Sequence, residues 1–97
     1  MTDLTGKRIA FLLTDGFEDS ELTSPWDAVT SAGAEAVLVS PAEGTVTGEK
    51  GHEQKIDLPV GSATADDFDA LVLPGGVQNA DDIRIVKDAV HFTRAFF

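Results

Sequence analysis

The chain has 97 residues, 42% of them hydrophobic, and its 17 acidic and 7 basic residues give a formal net charge of −10 at pH 7. This length suits one small domain with a hydrophobic core and is too short for two. A surface this acidic repels nucleic acid and anionic membranes, so we expect neither as a partner. We interpret the acidity as halophilic, an adaptation to a salt-rich cytosol in which hydrated carboxylates keep a protein soluble.

The sequence contains no cysteine, which excludes a disulfide, a thiolate metal site and a cysteine nucleophile within these residues. No apolar run approaches the roughly 20 residues that a membrane span requires. No charged start followed by an apolar core resembles a signal peptide. We therefore expect a cytoplasmic protein.

The first predicted unit is a strand, a tight turn and a helix. The predicted strand at 7–13 contains an apolar run at 9–13, typical of a parallel strand that is buried on both faces, and this run leads into a turn at Gly16. This is the opening unit of a doubly wound α/β sheet, in which ligands bind outside the carboxyl ends of the strands. Four carboxylates follow at that position: Asp15, Glu18, Asp19 and Glu21.

The helix after this turn has two possible starts. Asp15 and Glu18 have the spacing of a capping box, which places the start near Gly16. Pro25 would then lie inside the helix and kink it, because proline has no N–H to donate. Alternatively, the helix starts at Pro25 with Ser24 as its cap.

The same helix carries an apolar stripe of helical spacing, formed by Leu22, Trp26 and Val29. This stripe is expected to face the sheet, so we interpret Trp26 as a core residue. Gly33 is the predicted end of the helix.

Three further segments are predicted before the last helix. Residues 35–40 form a second strand, and residues 45–58 alternate around Gly48 and Gly51 in the manner of a hairpin arm. Residues 59–67 are predicted as a loop. Residues 68–73 are the third buried strand and run into a Pro-Gly-Gly turn at 74–76.

The last predicted element is a helix capped by Asn79 or Asp81. Its apolar face consists of Ile83, Val86, Val90 and Phe97. Together, these elements predict a flavodoxin-like or Rossmann-like doubly wound, mostly parallel sheet with helices on both faces and a small β-hairpin arm.

The sequence predicts no cofactor. His52 and His91 lack a second histidine or a cysteine at ligand spacing, which argues against a metal site. No GxGxxG motif and no phosphate-binding loop is found, so nucleotide binding has no support.

Four segments together resemble one known family. They are KRIAFLL at 7–13, GFEDSEL at 16–22 with Pro25 four residues after Glu21, VTG at 46–48, and FDALVLPGG at 68–76. In order and spacing the chain resembles the PfpI family of intracellular proteases and deglycases, a branch of the class I glutamine amidotransferase-like superfamily. Each motif alone is weak, and the combination is specific.

The resemblance implies that residues 1–97 are the N-terminal part of a single PfpI-like domain. In that family a later strand ends in a sharp elbow that carries the nucleophilic cysteine, and this half is missing here, so we expect a truncated chain. Full-length members are hydrolases that act on peptides or on glyoxal- and methylglyoxal-derived adducts, including glyoxalase-like enzymes of stress protection. The expected partners are therefore a small-molecule or peptide substrate and, in a homo-oligomer, further copies of the chain.

The resemblance also implies roles for two carboxylates. Glu21, identified by its spacing to Pro25, corresponds to the glutamate beside the cysteine, where it orients the thiol and tunes its reactivity. Glu18 lies one helical turn earlier and can reach the same pocket. From the residues alone, the favoured interpretation is that both are helix N-terminal carboxylates that stabilise the helix dipole.

The resemblance further implies that the Pro-Gly-Gly turn stabilises the transition state. The backbone N–H groups of Gly75 and Gly76 would donate to an oxyanion, and glycine permits the close approach. The alternative is an ordinary turn between a strand and a loop. In some relatives an acidic residue after this turn crosses a subunit interface, but the spacing to Asp81 is longer by one residue, which favours a helix cap.

Two other classes of protein remain open. A receiver-like or flavodoxin-like binding domain would hold Mg²⁺ near Asp15, but it needs an aspartate where Pro74 stands and a late lysine that is missing. A non-catalytic half-domain would instead persist by pairing with itself or with the missing half.

Overall fold

The computed structural model describes residues 4–75 and 92–96. Its strands and helix are β1 (Arg8–Leu12), α1 (Asp19–Ser31), β2 (Glu35–Ser40), β3 (Thr45–Thr47), β4 (Glu53–Lys55), β5 (Leu58–Pro59) and β6 (Ala70–Val72). Four strands form a parallel sheet in the order β5-β2-β1-β6, and β3 pairs with β4 in a separate antiparallel hairpin. The predicted parallel sheet and hairpin arm are confirmed.

The core lies on both faces of β1, which, like β2, pairs with a neighbouring strand on each side. Phe11 points to one face, where it joins Leu22 of α1 in a buried cluster. Ala10 and Leu12 point to the other face and pack in a second cluster that contains Phe92. A strand covered on both faces must be apolar at every position, which explains the continuous hydrophobic run.

The helix starts at neither of the two predicted positions. It begins at Asp19, and Glu18 is the N-cap residue in extended conformation, with its side chain accepting the N–H of Ser20. Gly16 lies in a turn at φ 80°, which is outside the helical region, so the start near it is wrong. Pro25 lies inside the helix rather than at its first position.

The predicted apolar stripe of α1 faces the sheet. Leu22 is fully buried, while Trp26 and Val29 are half-buried and pack against the same cluster. The ring of Trp26 lies 4.9 Å from the ring of Phe11, measured between centroids. Within residues 4–75 and 92–96, no helix is long and apolar enough to cross a membrane.

The helix ends one residue before Ala32, and Gly33 follows in the left-handed region at φ 99°. A Cβ at this position would also lie 2.8 Å from the hydroxyl of Thr5. Both the backbone angle and the close approach require glycine, which agrees with the predicted end of the helix.

The strand β5 was not predicted. It lies where the hairpin arm and the following loop were expected, and it pairs in parallel with the end of β2. Asp57 fixes this approach, because its N–H donates to the carbonyl of Leu38 at 3.0 Å and its carboxylate accepts the N–H of Leu38 at 2.8 Å. A strand of two residues is too short to give a periodic signal.

The strand β6 is less buried than predicted. Ala70 is exposed, Leu71 and Val72 are half-buried, and Leu73 just after the strand is 50% exposed. Among the residues that the structure describes, β6 pairs with β1 alone and forms one end of the sheet. This edge position accounts for the exposure of an apolar strand.

Part of the last predicted helix can be described. Residues 92–94 are helical, and Phe92 is buried with its ring edge-to-face against Phe68 and Phe96, at centroid distances of 6.0 and 5.1 Å. The other positions named from the sequence lie outside the described residues: Gly76, Asn79, Asp81, Ile83, Val86, Val90, His91 and Phe97.

We expect Leu22→Ala to lower the free energy of unfolding by about 2–5 kcal/mol, because it leaves a cavity under α1. That is a large share of the roughly 5–15 kcal/mol typical of a domain. Denaturant unfolding at one chain concentration measures it. Asp27→Ala changes an exposed position of the same helix and should stay within about 0.5 kcal/mol; equal effects of the two substitutions would contradict the packing of α1.

Candidate functional site

The candidate site lies at the carboxyl ends of β1 and β6. These strands pair in parallel, with Phe11 opposite Val72, so the segments that follow them leave the same edge of the sheet. The segment after β1 leads into α1 and carries the four acidic residues, and the segment after β6 reaches Gly75. Parallel pairing therefore brings together two motifs that are more than 50 residues apart in the sequence.

Two hydrogen bonds join Gly75 to the amino end of α1. The N–H of Glu18 donates to the carbonyl of Gly75 at 2.6 Å, and the N–H of Gly75 donates to Oε1 of Glu21 at 3.0 Å. A Cβ at position 75 would lie 2.7 and 2.8 Å from the two carboxylate oxygens of Glu21. Glycine is therefore required here by the close approach of a side chain.

The structure thus brings three of the four predicted site residues together: Glu18, Glu21 and Gly75. The fourth, Gly76, lies outside the described residues. Glu21 is exposed and Glu18 is half-buried. The N–H of Gly75, which the sequence suggested as an oxyanion donor, is directed at the carboxylate of Glu21.

Glu18 caps the helix and faces the hairpin. Its Oε1 accepts the backbone N–H of Ser20 at 3.2 Å and the hydroxyl of Ser20 at 3.0 Å, and the ammonium of Lys50 lies 3.9 Å away. The backbone N–H of Ser20, then its hydroxyl, and then a hydrogen bond from the carboxyl group of Glu49 lower the pKa of Glu18. Glu18 therefore caps the helix from the position before its first turn, which is occupied by Asp19 and Glu21.

Glu49, in the hairpin, shows the opposite shift. Its hydrogen bond to the carboxylate of Glu18 raises its pKa, and burial and the repulsion from Glu18 act in the same direction. Two carboxyl groups in contact share one proton, because both cannot be charged without repulsion. Sequence reasoning missed Glu49, since it lies 31 residues from Glu18 in a different element.

Asp15 and Asp19 bind the hairpin through backbone N–H groups. Oδ1 of Asp15 accepts the N–H of Thr47 at 2.8 Å. Asp19 accepts the N–H of Lys50 at 3.1 Å through Oδ1 and the N–H of His52 at 2.9 Å through Oδ2. Burial acts to raise the pKa of Asp19, but these N–H groups outweigh it, so the pKa is lowered.

Within residues 4–75 and 92–96, no group of three or more His, Asp or Glu side chains is arranged to hold a metal ion. The carboxylates that a receiver-like domain would direct at Mg²⁺ accept backbone N–H groups instead, as Asp15 and Asp19 show. The magnesium hypothesis therefore has no support among these side chains.

Comparison with known proteins agrees with this architecture. The family model described as "DJ-1/PfpI family" matches residues 7–97. The chain is 46% identical over 92 residues to protein/nucleic acid deglycase 2 of Escherichia coli, covering 93% of this chain and 53% of that protein. It is 38% identical over 90 residues to deglycase PfpI of Pyrococcus furiosus, covering 93% of this chain and 54% of that protein.

Solved structures give the same result. A two-domain protein of Anabaena variabilis with DJ-1/ThiJ/PfpI-like and ferritin-like domains superposes with a TM-score of 0.88 at 30% identity, covering 93% of this chain and 26% of that one. The chain spans about half the length of the curated relatives that it matches.

We expect Glu49→Gln to stabilise the fold, and to do so more as the pH rises. Folding raises the pKa of Glu49 above its ordinary value of 4.5. At a pH above 4.5 the folded chain therefore still holds a proton that the unfolded chain has lost. As a result, Glu49 makes the folded state less stable as the pH rises. Thermal unfolding of both proteins at about pH 4 and about pH 7 measures the difference. Glu43→Gln removes the same charge from an exposed loop position and is the control. If both variants differ from the parent equally at both pH values, the pairing of Glu18 with Glu49 is wrong.

Proposed function

This chain belongs to the DJ-1/PfpI family, and on that premise we propose that it forms the first half of the active site of a cysteine-dependent deglycase. The contact that carries the proposal is the hydrogen bond from the N–H of Gly75 to the carboxylate of Glu21. Both curated relatives compared above are named deglycases, which favours glyoxal- or methylglyoxal-derived adducts as substrates over peptides. Peptide hydrolysis is the second candidate, because it uses the same acyl chemistry.

In this proposal Glu21 is the carboxylate that faces the nucleophile. It is exposed at the edge of the sheet where an α/β protein binds its ligand. The N–H of Gly75 occupies one acceptor position of Oε1, and a carboxylate has several such positions, so a thiol can donate to another. A glutamate that shares a proton with the thiol can orient it and adjust its reactivity.

In this proposal Gly75 and Gly76 have different roles. The N–H of Gly75 is already bonded to Glu21, which makes Gly75 a positioning residue for that carboxylate. We therefore assign the oxyanion role to the N–H of Gly76. A backbone N–H in such a position stabilises the negative charge that develops on the substrate carbonyl oxygen.

The nucleophile must come from outside these residues, since the chain contains no cysteine. The thiol would add to the substrate carbonyl carbon and turn its oxygen into an oxyanion. As the oxyanion collapses, the carbon–nitrogen bond would break and the amine would leave with the proton held by Glu21, and water would then cleave the remaining carbon–sulfur bond. Glu21 would accept the thiol proton at a carboxylate oxygen, and the Pro-Gly-Gly turn would bind the oxyanion.

We expect the chain alone to show no deglycase, glyoxalase or peptidase turnover, and a chimera to restore it. The chimera joins residues 1–97 to the remaining part of the Escherichia coli relative. In it, Glu21→Gln should lower kcat/KM by about a hundredfold or more, in the range of proton-transfer catalysis. Glu18→Gln, the same change one helical turn earlier, is the matched control. Turnover that survives complete alkylation of the thiol would refute the cysteine mechanism, and a larger loss in Glu18→Gln would refute the assignment of Glu21.

The homo-oligomer and the cytoplasmic location predicted from the sequence stay predictions. The half-exposed strand β6 supports the first, because within the described part of the chain it presents an apolar edge with Leu73 half exposed. Unpaired N–H and C=O groups along such an edge favour pairing with another chain.

We expect the isolated chain to self-associate, and to do so more strongly at high salt. The net charge of −10 opposes association through repulsion that salt screens, whereas apolar burial contributes roughly 25 cal/mol per Å² and is screened little. Sedimentation over a salt series measures the distribution of species. Leu73→Lys places a charge at the edge and should shift that distribution towards the monomer. A compact, cooperatively unfolding monomer at every salt concentration would contradict the expectation.

A further inference from the structure

The reverse turn between β3 and β4 rests against the candidate site. The N–H of Glu49 donates to the carbonyl of Phe17 at 2.9 Å, and the N–H of Gly16 donates to the carbonyl of Thr47 at 2.9 Å. The hairpin is thus hydrogen-bonded to the segment between β1 and α1. We call residues 48–52 the hairpin turn.

Asp19 makes the contacts that fix the hairpin turn itself. As the first residue of α1, it accepts the N–H of Lys50 with one carboxylate oxygen and the N–H of His52 with the other. Bonds from N–H groups to a charged acceptor are about twice as strong as neutral ones. Asp19 therefore binds the residues on both sides of Gly51, which has φ 97° and lies where the chain reverses its direction.

Gly48 provides the space for this carboxylate. A Cβ at position 48 would clash with Oδ1 of Asp19 and lie 3.0 Å from the ring of Phe17. Real Cβ atoms do not approach a polar atom so closely, so either the carboxylate or the turn would have to move. Gly48 and Asp19 are thus complementary partners, although 29 residues separate them.

The hairpin turn carries an ammonium group and a carboxyl group to Glu18. The ammonium of Lys50 lies 3.9 Å from Glu18, and the carboxyl group of Glu49 is hydrogen-bonded to the same carboxylate. Glu18 in turn is bonded through its backbone to Gly75. The position of the turn therefore decides which groups face the carboxylate of Glu18, whose backbone is bonded to the Gly75 that binds Glu21.

We propose that Asp19 is a positioning residue that holds the hairpin turn as one wall of the site, with Glu49 and Lys50 as the side chains that an entering substrate meets. The inference rests on the proposed function for the identity of the site, and on Asp19, Gly48 and the turn for its geometry. The proposal assigns a function to the carboxylate of Asp19, which takes no part in the proposed proton transfer or in the proposed binding of the oxyanion.

Hydrogen exchange at individual amides of the chain tests the contact. Asp19→Ala should speed exchange at the N–H groups of Lys50 and His52 by about tenfold or more, because both lose a charged acceptor. Asp19→Asn keeps one acceptor oxygen and should give an intermediate increase. The N–H of Gly75, which is held by Glu21, should be unchanged in both variants. Asp27→Ala, at an exposed position of the same helix, is the control.

A second substitution separates positioning from a general loss of stability. Gly48→Ala should by itself speed exchange in the hairpin turn, because its new Cβ meets the carboxylate of Asp19. In the Asp19→Ala background this effect should be smaller, since the atom that clashes is gone. Strictly additive effects of the two substitutions would overturn the proposed complementarity.

The titration of Glu49, followed through its carboxyl carbon by NMR, gives an independent signature. Release of the turn in Asp19→Ala should move Glu49 away from Glu18 and bring its midpoint back towards 4.5. Uniformly faster exchange over the whole chain, or an unchanged midpoint together with unchanged Lys50 and His52 amides, would overturn the proposal. None of these measurements involves turnover, so their outcome is independent of whether the chimera is a deglycase.

Discussion

The two hydrogen bonds between Gly75 and the amino end of α1 are the constraint on which the site depends. One runs from the backbone of Glu18 to the carbonyl of Gly75, and the other from the N–H of Gly75 to the carboxylate of Glu21. They join the end of β6 to the start of α1. Because the second bond has a charged acceptor, it is stronger than an ordinary backbone bond. It also sets the direction of the carboxylate towards the carboxyl edge of the sheet.

The opposite end of the sheet fixes the position of β6, and hence of Gly75. There the N–H of Arg8 donates to the carboxylate of Asp69, and the N–H of Asp69 donates to the carbonyl of Arg8, both at 2.8 Å. The guanidinium of Arg8 also lies over the ring of Phe68 and is paired with Glu35 of β2. An exposed ion pair adds little stability by itself. The paired contacts between Arg8 and Asp69, however, hold the start of β6 in register with β1.

The density of carboxylates at the start of α1 has a structural explanation for three of the four. Asp15 and Asp19 accept N–H groups of the hairpin, and Glu18 caps its own helix. Each negative charge therefore faces at least one backbone donor, which offsets the repulsion within the cluster. Glu21 differs, because its donor belongs to the turn after β6. This difference in donor, more than any difference in residue type, separates the proposed catalytic carboxylate from its neighbours.

The sequence by itself determined the two central strands, the sheet class and the family. A continuous apolar run of strand length is typical of a strand that is buried on both faces. The strands at 7–13 and 35–40 could therefore be predicted without a structure. Two motifs could also be recognised in the sequence: the spacing of Glu21 to Pro25, and the Pro-Gly-Gly turn. The start of α1 could not be predicted, because the sequence offers two capping signals, at Asp15 and at Ser24. In the structure a third residue, Glu18, caps the helix. Contacts between distant segments were also beyond the sequence: the bond from Gly75 to Glu21, the carboxyl pair of Glu18 and Glu49, and the fit of Asp19 against Gly48. No local pattern encodes such contacts. The first exists only once parallel pairing has brought the carboxyl ends of β1 and β6 to one edge, and the other two exist only once the hairpin has packed against the start of α1.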